Sequence, residues 1–155
     1  MYRILFVCHG NICRSTMAQS VMQHLVDRAG VADRFKIDSA ATSREEIGNP
    51  PHRGTVSRLE REGIAVVPHR ARQVRRDEYG EWDYIIGMDG ENMRGLTRIF
   101  SSNSDCGADG GAKLAKLLSF TGSSRDVADP WYTGDFDATF RDVMAGCSAL
   151  LEALV

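Results

Sequence analysis

The sequence predicts an α/β fold, in which a four-stranded parallel sheet carries helices on both faces and a phosphate-binding loop after strand 1. Two observations predict this fold. Short apolar runs rich in strand-forming residues alternate with stretches of helical spacing, and the first run, residues 2–7, is almost continuously apolar. Continuous apolar runs are typical of strands that are buried on both faces. A length of 155 residues suits one domain, so we predict a single domain over residues 1–155.

The remaining elements follow from the same patterns. Two further strands are predicted at residues 35–38 and 83–88, and a fourth within residues 112–120, where the leucines would also suit a helix. Apolar residues at helical spacing follow the first strand, and further helices are predicted at residues 51–62, 91–99 and 135–154. In the first of these three, proline occupies the first turn and Gly63 ends the helix. Residues 101–111 are predicted to form a polar loop.

Composition excludes several classes of protein. The net charge is −2, without the basic excess that nucleic-acid binding requires. No apolar run approaches the roughly 20 residues of a membrane span, and the apolar N-terminus is shorter than a secretion signal. We therefore expect a soluble, cytoplasmic monomer with neither nucleic-acid nor membrane partners. The cysteines at positions 8, 13, 106 and 147 lack metal-site spacing, so we expect no metal and no cofactor, with Cys106 and Cys147 as core residues.

The most informative segment is the loop from Cys8 to Thr16, which lies between the first strand and the first helix. It contains a thiol, five intervening residues, an arginine and a hydroxyl. A loop that turns at a helix N-terminus directs successive backbone N–H groups inward and holds an anion. Gly10 and Asn11 tolerate the positive φ that a tight loop requires, and the planar guanidinium of Arg14 can bind two phosphate oxygens.

The same loop predicts a reactive cysteine. Inward N–H dipoles, a guanidinium and a helix N-terminus favour the thiolate form of a thiol at the base of the loop. Cys8 is therefore the predicted nucleophile for phosphoryl transfer. Ser15 is placed to donate a hydrogen bond to the Cys8 sulfur and so to make it a better leaving group.

Phosphoryl transfer from an ester also requires an acid for the departing oxygen. Asp129 is the candidate, because Pro130 biases it toward an extended conformation and Trp131 and Tyr132 follow directly. Such a segment could present a carboxyl group over the loop while the aromatic rings flank an aromatic leaving group.

These residues resemble the low molecular weight protein tyrosine phosphatases. The likeness rests on Val7-Cys8-x-Gly10-Asn11-Ile12-Cys13-Arg14-Ser15 and Asp129-Pro130-Trp131-Tyr132, and it continues through residues 37–42, 47–49, 69–73, 83–89 and 135–136. The resemblance implies a four-stranded parallel sheet and a metal-free, two-step reaction on phosphotyrosine proteins or small aryl phosphates.

The resemblance also implies a role for individual residues. Cys8 is the nucleophile, Arg14 binds the phosphate, and Asp129 acts first as acid and then as base. Cys13 could trap oxidised Cys8 as a disulfide. Two groups complete the expected site: the phosphate- and substrate-binding residues His9, Gly10, Asn11, Ile12, Cys13, Ser15, Glu45, Trp131 and Tyr132, and a supporting hydrogen-bond network of Asn11, Ser15, Ser39 and His69.

Two residues depart from the family pattern, and two alternative functions stay open. Thr16 stands where the family commonly has proline, and Glu45 where a bulky aromatic residue usually forms one wall of the cleft. One alternative is a thiol-dependent arsenate reductase of the same fold, although Cys106 and Cys147 are far apart in the sequence and Asp129 would be unnecessary. The other is a non-catalytic phosphotyrosine-binding module, which would gain nothing from a thiolate.

Overall fold

The computed structural model describes residues 1–155, and its centre is a sheet of four parallel strands. These are β1 (Tyr2–Cys8), β2 (Phe35–Ala41), β3 (Tyr84–Gly87) and β4 (Leu114–Lys116), in the order β2-β1-β3-β4. The ladder between β1 and β2 pairs Tyr2 with Phe35 and continues to Cys8 with Ala41. The predicted four-stranded parallel sheet is therefore confirmed.

Both faces of the sheet are buried, which explains the continuous apolar run at the N-terminus. Along β1, Ile4 and Phe6 point into the larger core, whereas Leu5 and Val7 point into a second core on the opposite face. All four side chains are fully buried. Successive residues of a strand face opposite sides, so a strand covered on both sides needs apolar residues at every position.

Six helices accompany the sheet: α1 (Arg14–Arg28), α2 (Arg53–Arg61), α3 (Gly90–Ile99), α4 (Ser104–Asp109), α5 (Pro130–Thr133) and α6 (Phe136–Leu154). Apolar residues of α1, α2 and α6 form the larger core with one face of the sheet, while α3 and α4 pack against the other. Helices thus cover both faces, as predicted. None of them combines the length and the apolar character that crossing a bilayer requires.

Two local predictions are wrong in detail, and the fourth strand is shorter than the range predicted for it. Pro51 lies before α2, whose N-cap is His52. The predicted polar loop over residues 101–111 contains α4, which Asn103 caps at its start and Gly110 ends in the left-handed conformation. Asparagine and glycine at these two positions are a recognisable signal for a short helix. The fourth strand is only Leu114–Lys116 and gives way to a 3₁₀ turn at Leu117–Thr121, so the two patterns seen in residues 112–120 occur in succession.

The strand order fixes where a ligand can bind. The chain first passes from β1 to β2 on one side, and later from β3 to β4 on the other. The carboxyl ends of β1 and β3 therefore flank the point where the direction of winding reverses, which is the usual location of a crevice in open parallel sheets. Cys8 ends β1, and Met88 and Asp89 follow β3.

Candidate active site

The loop after β1 has the tight backbone that the sequence predicts. Asn11 is the one residue other than glycine with a positive φ, 60°. Its backbone N–H points back and donates to Cys8 Sγ at 3.3 Å. The loop ends at Arg14, the first residue of α1, so the sulfur lies in a ring of backbone that closes at a helix N-terminus.

The direction of the hydrogen bond at Cys8 follows from its neighbours. The Asn11 side-chain amide donates from Nδ2 to Ser15 Oγ at 2.7 Å. Ser15 Oγ accepts that bond, which leaves its own proton free for Cys8 Sγ at 3.0 Å. Both Ser15 and Asn11 are fully buried, so water does not compete for these groups. Ser15 is therefore a donor to the sulfur.

Asn11 also ties the loop to the rest of the molecule. Its Oδ1 accepts from His69 Nε2 at 2.8 Å and from the backbone N–H of Arg72 at 3.2 Å, while its Nδ2 donates to Ser39 Oγ at 3.0 Å. Ser39 in turn donates to Gln19 Oε1. The network predicted from Asn11, Ser15, Ser39 and His69 is thus formed, and Gln19 and Arg72 are members that sequence reasoning missed.

His69 is neutral in this network. Because Asn11 Oδ1 only accepts, the imidazole proton is on Nε2. Burial lowers the pKa of His69, and the nearby Asp38 carboxylate opposes this effect without cancelling it. A neutral His69 places one fixed donor against Asn11.

Arg14 lies between two carboxylates above the loop. Its Nη1 donates to Asp89 Oδ2 at 2.9 Å and to the backbone carbonyl of Val127 at 3.2 Å, and its Nη2 donates to Asp129 Oδ2 at 3.2 Å. The side chain is only 3% exposed. Burial alone would lower the pKa of Arg14, but the charges of Cys8, Asp129 and Asp89 raise it.

Asp89 is the second of the two carboxylates that bind Arg14, and sequence reasoning did not assign it to the site. Its Oδ1 caps α3 by accepting from Asn92 N at 2.7 Å, while its Oδ2 binds Arg14. An aspartate directly after a strand and before a helix normally indicates an N-cap, which accounts for only one of its two oxygens. The signal for its second role was its position after β3, beside the carboxyl end of β1.

Asp129 approaches the cavity as predicted, at the start of α5. Its Oδ1 accepts from Trp131 N at 3.1 Å, so the same carboxyl group caps α5 and contacts Arg14. Pro130 occupies the first position of that helix. Trp131 is 61% exposed and Tyr132 is 85% exposed. Neither ring is a core residue, and both line the mouth of the cavity.

These side chains enclose one cavity of about 220 Å³. His9 and Glu45 lie on its rim, where His9 Nε2 and Glu45 Oε2 are 3.0 Å apart. Of the predicted residues, ten line the cavity: Cys8, His9, Gly10, Ile12, Cys13, Arg14, Glu45, Asp129, Trp131 and Tyr132. Asn11 and Ser15, predicted among the phosphate-binding residues, have their side chains buried behind the loop together with Ser39, and His69 lies nearby against Asn11.

The two remaining cysteines lie outside this cavity. Cys147 is fully buried in the larger core, where its thiol contacts the Ala18 carbonyl at 3.8 Å and burial raises its pKa. Cys106, on α4, is half-buried against the other core. Cys13, in contrast, lines the cavity, and Thr16 and Thr55 both donate to its carbonyl.

A thiol at the floor of an anion-binding loop, set at the switch point of a parallel sheet, is the arrangement of a cysteine-based phosphatase. Comparisons with known proteins agree with this class. The sequence model of the low molecular weight phosphotyrosine protein phosphatase family matches residues 3–155 of this chain. The chain belongs to the low molecular weight phosphotyrosine protein phosphatase family.

Individual relatives cover nearly the whole chain. It is 40% identical to the low molecular weight protein-tyrosine-phosphatase YfkJ of Bacillus subtilis over 156 residues, which is 99% of this chain and 96% of YfkJ. It is 38% identical to the human low molecular weight phosphotyrosine protein phosphatase, covering 96% and 93% of the two chains. The crystal structure of YfkJ superposes with a TM-score of 0.90, and the superposition covers 99% of this chain and 94% of the YfkJ chain. The crystal structure of a Drosophila arginine phosphatase, which is 27% identical, superposes with a TM-score of 0.86. The superposition covers 97% of this chain and 96% of that chain.

Proposed function

We propose that this phosphatase hydrolyses phosphotyrosine in proteins, and small aryl phosphates, through a phosphocysteine on Cys8. The convergence of Cys8, Arg14 and Asp129 on one cavity carries the proposal. The three residues come from β1, α1 and the segment before α5, and they supply a nucleophile, a cation for the phosphate and an acid.

In the first step the Cys8 sulfur attacks phosphorus, and the bond between phosphorus and the aryl oxygen breaks. The phosphate oxygens accept hydrogen bonds from the N–H groups of the loop and from Arg14. They compete with Asp129 for the Arg14 guanidinium, and Asp129, in its acid form, gives its proton to the departing oxygen.

In the second step water attacks the phosphocysteine. Asp129, now a carboxylate, accepts a proton from this water, and the bond between phosphorus and sulfur breaks. The Cys8 thiolate that leaves accepts the hydrogen bond from Ser15, which lies 3.0 Å away. Inorganic phosphate and free enzyme result.

The walls of the cleft support an aryl substrate. Trp131 and Tyr132 are exposed at the mouth, where an aromatic leaving group would displace water from apolar surface. Glu45 stands where the family usually has an aromatic residue, and it pairs with His9 across the rim. Aromatic packing therefore comes from the Trp131 side of the cleft.

The alternatives have less support. An arsenate reductase of this kind requires a downstream pair of resolving cysteines, whereas Cys106 and Cys147 are far apart in the sequence and neither lines the cavity. A binding module would need neither an acid at the mouth nor the Ser15 donor at the sulfur. Both features suit turnover.

The test is steady-state hydrolysis of para-nitrophenyl phosphate and of phosphotyrosine and phosphoarginine peptides, in chelator and reductant, with inorganic phosphate as inhibitor. We expect turnover of the nitrophenyl ester and the phosphotyrosine peptide. Cys8→Ser should remove it, and Asp129→Ala should reduce kcat/KM for phenyl phosphate about 100-fold, more than for the nitrophenyl ester. Phosphate binding without hydrolysis would indicate a binding module. Preference for phosphoarginine would assign the substrate class of the Drosophila relative instead.

A further inference from the structure

The segment that precedes Asp129 has no secondary structure of its own. Residues 123–129 belong to neither helix nor strand, although they deliver the proposed general acid to the cavity. A catalytic acid must be held within a fraction of an ångström of its working position. Groups outside the segment must therefore hold it in place.

The backbone of Val127 is fixed by groups at the site itself. Its N–H donates to the Met88 carbonyl at the end of β3 at 2.9 Å, and its carbonyl accepts from Arg14. Val127 is also 1% exposed and packs in the larger core.

The backbone of Ala128, the residue immediately before Asp129, is fixed by two side chains of α6. The Ala128 N–H donates to Asp142 Oδ2 at 3.1 Å, and the Ala128 carbonyl accepts from Thr139 Oγ1 at 2.9 Å. Thr139 is fully buried and Asp142 is 8% exposed, so neither bond is exchanged readily for water. Both backbone polar groups of Ala128 are thus held by one helix.

Asp142 is held in turn by an arginine of the same segment. Arg125 Nη2 and Nη1 donate to the two Asp142 oxygens at 2.6 and 3.1 Å. Burial alone would raise the pKa of Asp142, but the hydrogen bonds from Arg125 and Ala128 lower it overall. The carboxylate is charged at neutral pH and can accept from both donors.

The helix that carries these two residues is itself rigid. Phe140, Val143, Cys147 and Leu150 of α6 are buried in the larger core, where they pack with α1. Since α1 begins at Arg14, the phosphate-binding loop is attached to the same core as the acid segment.

We propose that Asp142 and Thr139 are positioning residues for the general acid: they hold the backbone of Ala128 so that Asp129 reaches the leaving oxygen. This inference rests on the proposed function, because it assigns the acid role to Asp129. Neither residue lines the cavity, so neither is placed to contact a substrate bound there.

The test compares kcat/KM for phenyl phosphate and para-nitrophenyl phosphate, since this constant covers the steps up to loss of the leaving group and phenolate needs the proton more. Asp142→Ala should reduce the phenyl phosphate value by about 10- to 100-fold, as a misplacement near 1 Å does. The nitrophenyl value should fall by less than about 5-fold. Thr139→Val should act in the same direction by about 3- to 10-fold, the worth of one hydrogen bond, and Thr139→Ser should restore the rate.

Asp83 provides a matched control. It too accepts from a backbone N–H and a bidentate arginine, both of Arg3, at 2.8 to 3.2 Å, but it lies just before β3, at the opposite end of the strand from Met88. Asp83→Ala should leave the ratio between the two substrates at its wild-type value. If Asp142→Ala does not fold, the ratio of kcat/KM for the two substrates in Thr139→Val tests the positioning role.

Asp129→Ala separates the two levels of the proposal. If Asp129→Ala is selective for phenyl phosphate and the α6 variants lower both substrates equally, the positioning role is wrong and the acid assignment stands. If Asp129→Ala itself lowers both substrates equally, the acid assignment fails and the positioning role fails with it. In the Asp129→Ala background, Asp142→Ala should not change the ratio further; an additional selective loss would contradict the proposal.

Discussion

Cys8 and Cys13 line one cavity, yet their thiols have different surroundings. Cys8 Sγ accepts hydrogen bonds from Asn11 N and Ser15 Oγ. Burial, followed by the charges of Cys8 and Asp129, raises the pKa of Cys13 to about 12. Cys13 is therefore protonated at neutral pH, and we expect it to be a weak nucleophile toward oxidants.

Cys13→Ser tests the proposed redox role of this thiol. After brief peroxide treatment, the wild-type enzyme should regain most of its activity on addition of dithiothreitol, because a disulfide with Cys13 protects oxidised Cys8 from further oxidation. The variant should regain less than about half as much, since its sulfenic acid oxidises further. Recovered activity and intact mass are the measurements. Equal recovery would exclude Cys13 as the partner, and Cys106→Ser is the control that should recover like the wild type.

At the scale of elements, the contact between α6 and the 3₁₀ turn after β4 depends on a glycine. A Cβ at Gly146 would lie 2.4 Å from Leu117 Cγ, and Leu117 is fully buried. Gly107, in α4, has no atom within 4 Å of the same position. One glycine is required by packing, whereas the other is not.

Gly146→Ala and Gly107→Ala should therefore change stability in opposite directions. Overpacking against Leu117 should lower the free energy of unfolding by about 1–3 kcal/mol, reduced somewhat by the better helix propensity of alanine. Gly107→Ala should raise it by about 0.5–1 kcal/mol. Urea unfolding followed by tryptophan fluorescence measures both. A stabilised Gly146→Ala variant would mean that Leu117 can move away without cost.

At the scale of the whole molecule, an ion pair between the buried Glu78 and the half-buried Arg72 links the second core to the phosphate-binding loop. Glu78 is fully buried and accepts from Arg72 Nη1 and Nη2, Arg75 N and Trp82 Nε1, at 2.6 to 3.1 Å. Arg72 in turn donates its backbone N–H to Asn11 Oδ1. Burial alone would raise the pKa of Glu78, but these hydrogen bonds lower it overall.

Glu78→Gln should make stability less dependent on pH. Because the folded state lowers the pKa of Glu78, its stabilisation is present above the unfolded value of about 4.3 and is lost as pH falls through the folded value. We expect the variant to lose about 3 kcal/mol at pH 7, and its free energy of unfolding to fall less steeply between pH 5 and pH 3. Urea unfolding at several pH values measures this. Parallel pH profiles would contradict the assignment, and Glu60→Gln, at an exposed site on α2, should match the wild type.

Much of the site could be predicted because it lies in one short segment. The spacing from Cys8 to Ser15 fixed the loop, and Asn11 has the positive φ that its residue type allowed. Asp89 was missed because its contact with Arg14 spans 75 positions, and only its place after β3 pointed to the site. Its local pattern indicated only a helix cap.

The sequence by itself determined the sheet, the helices on both faces and the loop that carries Cys8 and Arg14, because apolar periodicity and turn residues act over a few neighbouring positions. Only the tertiary structure decided which distant groups hold that loop and the acid segment. Arg72 meets Asn11 because its segment runs beside the end of β2, where Ala41 N donates to the Arg72 carbonyl. Asp142 meets Ala128 because α6 and Val127 pack in the larger core. Contacts of this kind depend on packed geometry, which no local pattern of residues encodes.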